Sequence, residues 1–287
     1  MKSIKYFLFL VYLACFVPLT AQNIISGKVF LDKNGNGIQD RSEHGIKAVP
    51  VSNGRDVVLT DKDGNFSISV ADGESLFPIF PSGYTSSSGD IIRSSDFLFK
   101  TRQSKDKVDF ALKKEKQPEH FTLGAIGDIQ MGNPQELDYA NQTIIPELAG
   151  RKDIQLAVWL GDLVNNRLEL FEDVREMIRC TEIPSWVLPG NHDRITNGHT
   201  LQDSLFNCYF GASAYAFNYG NVHFIILNNV DLPIPFGPIN ATFSPRYISK
   251  FNPLNNILSS YPIEISLTCI TSLPLTTAGS KDIFAFF

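Results

Sequence analysis

Trp186-Val187-Leu188-Pro189-Gly190-Asn191-His192-Asp193 is the stretch on which the reading of this chain turns. A short apolar run ends at a glycine, followed by a carboxamide, an imidazole and a carboxylate, all able to ligate a metal or exchange a proton. Working outward, the same design occurs twice more. The apolar run 156–160 precedes Gly161-Asp162-Leu163-Val164-Asn165, and the run 121–126 precedes Gly127-Asp128-Ile129-Gln130. Between the runs, Leu137, Ala140, Ile144, Ile145 and Leu148 share one helical face. Leu168, Phe171, Val174, Met177 and Ile178 share another. Strands alternating with helices predict βαβ units and a buried sheet. A further strand is expected over 222–227.

Asp128 and Asp162 lie 34 positions apart, and Asp162 and Asn191 lie 29 apart. Each interval fits one strand plus one crossover helix. The loops beyond the C-terminal ends of such strands converge on one crevice, so three distant oxygen donors and an imidazole are predicted to meet there. Each glycine is expected to supply a sharp turn that leaves the next side chain facing the cleft.

The series Gly-Asp-Ile-Gln, Gly-Asp-Leu-Val-Asn and Gly-Asn-His-Asp resembles the first three motifs of the calcineurin-like metallophosphoesterases, the last being the most specific. The β-rich region ahead of it, with its Gly-Lys-Val-Phe-Leu-Asp opening, is similar to the small N-terminal domain of some secreted bacterial members. The resemblance covers roughly residues 24–230 and implies an α/β metallophosphoesterase fold, an incomplete β-sandwich flanked by helices, behind a small all-β sandwich. It also implies a two-metal centre in which a bridging hydroxide attacks the phosphorus of a phosphoester substrate. Asp128 and Gln130 would ligate one ion, Asp162 would bridge both, Asn191 would hold the second, and His192 would protonate the leaving oxygen. Mn, Fe, Zn and Mg all remain open as the metal. Gln130 stands where the family usually has histidine, which shifts the first site toward oxygen-preferring ions such as Mn or Mg. Asn165 stands where a carboxylate often supports the motif histidine, so that task falls to Asp193 or to nothing.

The family also needs later histidines. This chain has 5 in all, and beyond His192 only His199 and His223. His223 lies inside an apolar run and reads as a core histidine. From 251 to 287 the only charged residues are Glu264, Lys281 and Asp282, without amphipathic period or sensible caps and turns. That texture predicts a shift of reading frame or a truncation near residue 250, and the missing histidines predict an impaired metal shell and a sheet that lacks later strands and shows an open edge. The alternative function is a non-catalytic cell-envelope binding protein with a degenerate phosphoesterase domain.

The organisation expected is a signal peptide over 1–21, a β-sandwich over 22–112, a charged linker over 113–119, a partial metallophosphoesterase domain over 120–250 and an atypical tail over 251–287. Strands are predicted over 25–31, 48–51, 57–59 and 66–70. Asp32, Asn34, Asn36, Asp40 and Glu43 fall at positions 1, 3, 5, 9 and 12 of a calcium-loop pattern with Gly37 at position 6. A polar Asn-Gly turn is the other reading of that stretch.

Lys2 and Lys5 precede an apolar run over 6–17, broken by Pro18 before Thr20-Ala21-Gln22. This predicts export to the periplasm or beyond. The run is too short for a membrane span, and Cys15 is a candidate lipid anchor with an imperfect lead-in. A net charge of −5 argues against a nucleic-acid-binding surface. Cys180 and Cys208 are read either as a disulfide or as buried free thiols.

Overall fold

The computed structural model describes residues 24–101, 104, 106–196 and 202–228, and the backbone of Asp282–Phe286. The targeting segment with Cys15, and His199, Cys269 and the rest of the tail, lie outside the described residues.

The N-terminal region forms β1 (Ile24–Leu31), β2 (Pro50–Ser52), β3 (Val57–Leu59), β4 (Asn65–Ser69), β5 (Ser75–Pro78), β6 (Tyr84–Ser86), β7 (Leu98–Phe99) and β8 (Phe110–Lys114). They make two four-stranded sheets, β4-β1-β8-β6 and β3-β2-β5-β7. The period-2 alternation of side chains decides which face is inward: Ile25 and Val29 of β1, and Phe66 and Ile68 of β4, are buried. β1 runs antiparallel to β4 and parallel to β8.

The second region follows the predicted alternation. β9 (Leu123–Ile126), α1 (Pro134–Leu148) and β10 (Leu156–Trp159) come first. A 3₁₀ turn, Leu168–Leu170, runs into α2 (Phe171–Arg179), and β11 (Ser185–Val187), α3 (Ser204–Phe210), β12 (Tyr215–Tyr219) and β13 (Val222–Ile226) follow. β9, β10 and β11 are parallel, in the order β11-β10-β9. β12 is antiparallel to β13.

β9 has no second neighbour in its sheet among the described residues. β13 is covered instead: the backbone of β14 (Asp282–Phe286) pairs with it in parallel.

The parallel sheet is apolar on both faces, as its crossover helices require. Leu156, Val158, Trp186 and Leu188 face Phe217, Phe224 and Ile226. Trp159 and Val187 turn the other way, toward Val174, Met177, Ile178, Phe206 and Phe210 of the helices.

The N-terminal region shares the first of these cores. Phe80 lies 5.7 Å from Trp186 and Phe97 lies 5.7 Å from Tyr215, centroid to centroid. Trp186 stacks on Phe217 at 3.8 Å. Segment 91–93 runs along the outer edge of β11, where Ser185 N donates to Ile91 O at 2.8 Å and Arg93 N donates to Ser185 O at 2.9 Å. Arg179 of α2 holds Asp90 through two bonds, 3.1 and 2.5 Å. Lys113 and Lys114 belong to β8. Farther along the same charged stretch, Gln117 Oε1 accepts from Gly83 N at 2.8 Å and Gly220 N at 3.0 Å, joining the two regions.

Of the two readings of the cysteines, the free thiols hold, while the disulfide and the burial are corrected. Cys180, at the C-cap of α2, and Cys208, in α3, are free and exposed, because each falls on the solvent side of its helix. No helix among the described residues is long and apolar enough to cross a membrane.

Candidate functional site

Asp128, Asp162 and Asn191 follow the C-terminal ends of β9, β10 and β11. Because β10 is central, Asp162 stands between the other two. The loops continue the strand pairing past the strand ends: Asp128 N donates to Gly161 O at 3.2 Å, Gln130 N to Asp162 O at 2.8 Å and Met131 N to Leu163 O at 3.2 Å. The first loop then enters α1 through a reciprocal cap. Asn133 Oδ1 accepts from Glu136 N at 3.0 Å, and Glu136 Oε2 accepts from Gly132 N at 2.6 Å.

The turns are made differently from the expectation. Of the three motif glycines only Gly161 has a positive φ, 86°. The residues expected to act are themselves left-handed: Asp128 at 58°, Gln130 at 41° and Asp162 at 47°. Such conformations are uncommon for side chains other than glycine and cost of order 1–3 kcal/mol each, a pattern found at functional sites. Gly190 serves space rather than φ. A Cβ there would lie 2.1 Å from Asp162 Oδ1 and 2.3 Å from Asp162 N, so the glycine lets the third loop close onto the central carboxylate.

Side-chain contacts join three of the expected residues. Gln130 Nε2 donates to Asp162 Oδ2 at 3.2 Å, and His192 N donates to Asp162 Oδ1 at 3.0 Å. Asp128 and Asn191 are exposed on either side, and Asp162 and His192 are half-buried. His192 Nδ1 is buried without a hydrogen-bond partner.

Support for His192 from Asp193, left open by the sequence, is ruled out by position. Asp193 is fully buried and accepts from Leu163 N at 3.1 Å, Val164 N at 3.0 Å and Gly190 N at 2.9 Å. Burial pushes its carboxyl up to about 6 against the downward pull of those donors. Its role is to tie the second motif loop to the third. Asn165 is occupied elsewhere, its Oδ1 accepting from Asn166 Nδ2 at 3.4 Å.

Sequence reasoning also missed a buried pair behind the site, Arg194 Nε on Asp203 Oδ1 at 2.5 Å, with Asn228 donating to the same carboxylate. Only the charge directly after the third motif hinted at it. His223 sits on β13 with Nδ1 2.9 Å from Asn218 Oδ1, as a satisfied structural histidine would.

The donors at the rim are carboxylate and carboxamide oxygens, which suit a hard, oxygen-preferring divalent cation. Each Asp162 oxygen keeps a lone pair beyond the bond it accepts. Turning the Gln130 amide end for end presents Oε1 where Nε2 stands. Among the described residues no three His, Cys, Asp or Glu side chains cluster closely enough to hold a metal by themselves. The set therefore fits such an ion in chemistry, with the amides completing what the two carboxylates begin.

The predicted calcium loop is organised in the N-terminal region. Asp32 and Glu43 are buried. Asp32 accepts from Gly35 N at 2.7 Å and Gly37 N at 2.8 Å, which holds its carboxyl below the usual range despite burial. Glu43 accepts from Lys33 N at 2.7 Å and Asp40 N at 3.0 Å. Asn34 and Asn36 both donate to Asp40 Oδ2, at 2.7 and 3.1 Å. All five predicted positions thus share one loop.

Comparison with known proteins agrees with this geometry. No curated protein matches the chain. Residues 33–115 match the family described as the N terminal of calcineurin-like phosphoesterase. Residues 121–267, more than half of the 287, match calcineurin-like phosphoesterase itself. The α/β sheet with its motif-bearing strand ends and the sequence match point the same way: the chain belongs to the calcineurin-like phosphoesterase family.

Proposed function

We propose that this chain is a metal-dependent phosphoester hydrolase whose metal shell is only partly built. The observation that carries the reading is the gathering of Asp128, Asp162 and Asn191 at three adjacent strand ends, with Asp162 bonded to both Gln130 and His192. Asp128 and Gln130 would hold one ion, Asp162 would be shared, and Asn191 would hold the second. When bound, such ions neutralise phosphoryl charge and acidify a water. His192 would pass a proton to the departing alkoxide. With Nδ1 buried, that proton leaves from Nε2. At the rim Gln130 offers an amide where the family usually offers an imidazole. Binding is therefore expected to be weak and turnover slow.

The N-terminal strands are read as a small sandwich and the apolar opening as an export signal, which places the activity in the periplasm or outside the cell. Manganese titration of the purified chain, followed by the loss of free-Mn²⁺ resonance, tests the centre. Asp162→Asn is expected to weaken binding by about tenfold or more, since even changes to the groups that only hold a ligand in place cost about 10–100-fold. Hydrolysis of bis(p-nitrophenyl) phosphate should require Mn²⁺ and fall in the same variant. Metal binding without any turnover would favour the non-catalytic reading, which the scarcity of imidazole at the rim supports. Activity that ignores both metal and Asp162→Asn would remove the hydrolase reading.

The loop from Asp32 to Glu43 is read as a stabilising calcium site, the twelve-position spacing of its oxygen-bearing side chains being the support. Millimolar calcium should raise the melting temperature of the parent chain and leave that of Asp32→Ala unchanged.

A further inference from the structure

A cleft of about 340 Å³ opens where loop 35–37 meets β6 and β8, lined by none of the residues at the motif-bearing strand ends. Its size falls at the lower end of small-molecule sites. Phe80, Phe97 and Phe110 give it an apolar floor. Ser86, Ser87, Ser88, Asn36 and Asp96 complete the polar part of the lining.

The charges of the lining decide the ligand class. The cleft has no Lys, Arg or His side chain in its described wall, so a phosphate or carboxylate would meet no counter-charge. Of the two carboxylates there, Asp109 is already engaged: Oδ1 accepts from Lys28 N at 2.9 Å, and Oδ2 lies 3.4 Å from Lys107 Nζ. Asp96 is exposed. Its Oδ2 accepts from Ser86 Oγ, and its Oδ1 has no protein partner among the described residues. The Ser86 and Ser88 hydroxyls lie 3.2 Å apart, within hydrogen-bond distance. One free, strong acceptor beside groups that both donate and accept suits vicinal hydroxyls, each of which is itself donor and acceptor. Phe80, Phe97 and Phe110, 3, 6 and 5 % exposed, offer a narrow apolar contact beneath it.

We propose that this cleft binds a neutral saccharide, with Asp96 accepting hydrogen bonds from adjacent sugar hydroxyls above the phenylalanine floor. This goes beyond phosphoester hydrolysis and holds or fails independently of it. It would let the N-terminal region fix the chain to a polysaccharide surface while the strand-end site acts on another molecule.

The test is calorimetric titration of the full chain with cellobiose, maltose and diacetylchitobiose, with n-butylamine as a cationic control. At least one disaccharide is expected to give saturable heat, and Asp96→Asn to weaken that binding by about tenfold, the loss of a charge-assisted pair. Asp96 is exposed with a single partner, so the variant should melt with the parent, and its melting curve separates lost binding from lost folding. Absence of binding by all three sugars overturns the proposal. So does binding unchanged by Asp96→Asn, or binding of butylamine alone.

Discussion

At the scale of the residue, the site rests on three backbone conformations and one missing side chain. Asp128, Gln130 and Asp162 are held left-handed, and Gly190 leaves room for Asp162 Oδ1. The identities of these residues were readable because each follows an apolar run at an interval set by one crossover helix. Their conformations were not, since φ depends on which loops hydrogen-bond to which once the strands are paired. The same limit applied to Asp193. Sequence placed it beside His192, and only the folded chain shows it turned inward onto three backbone donors. The proposed role of His192 carries its own prediction. His192→Ala should slow hydrolysis of alkyl phosphodiesters by about 100-fold or more, the ordinary contribution of a general acid. It should change the rate with a p-nitrophenolate leaving group far less, because that anion departs without a proton. Equal losses on both substrates would show that His192 positions rather than protonates.

At the scale of the element, the strands and helices with strong periods were legible to within a few residues. α1 and the run from Leu168 through α2 follow their apolar stripes, and β9, β10, β11 and β13 follow their apolar runs. The short strands β5, β6 and β7 and the helix α3 carry too few residues to show a period, and it is their tertiary neighbours that fix them. The contact between Asp90 and Arg179 is of the same kind: 89 positions apart, the two residues lock the segment that edges β11 to helix α2. Burial raises the Asp90 carboxyl, but the Arg179 guanidinium, the Ile92 N–H and Ser95 more than offset it, so its folded value lies below its ordinary one. A depressed carboxylate stabilises the fold above about pH 4 and loses that contribution as pH falls through the folded value. Asp90→Asn is expected to cost about 1.5–3 kcal/mol near neutral pH, the range for a hydrogen bond to a charged group. The difference in melting temperature between parent and variant should shrink as the pH is lowered below 4. A constant difference across that window would assign the effect to packing instead of charge.

At the scale of the whole molecule, the two regions share a core. Phe77, Phe80 and Phe97 from one lie in the same cluster as Trp186, Tyr215 and Phe217 from the other. Removing a buried Phe typically costs about 3–5 kcal/mol, and whole proteins are stable by only about 5–15 kcal/mol. A fragment beginning at residue 120 is therefore expected to fail to fold, seen as loss of near-ultraviolet dichroism, while the parent chain melts in one calorimetric transition. Two separate transitions would show that the regions are independent. The sequence alone determined the α/β class of the second region, the β-rich character of the first, and the four motif residues at the strand ends. These follow from local rules, the side-chain period and the length of a crossover, which act over a few tens of residues. Tertiary structure alone decided that the charged stretch at 113–119 begins inside a strand and stitches two regions together, that Asp193 braces loops, and that a polar cleft opens beside the loop from Asp32 to Glu43. Those features join residues far apart in the chain, and contacts of that kind exist only after the strands have chosen their neighbours.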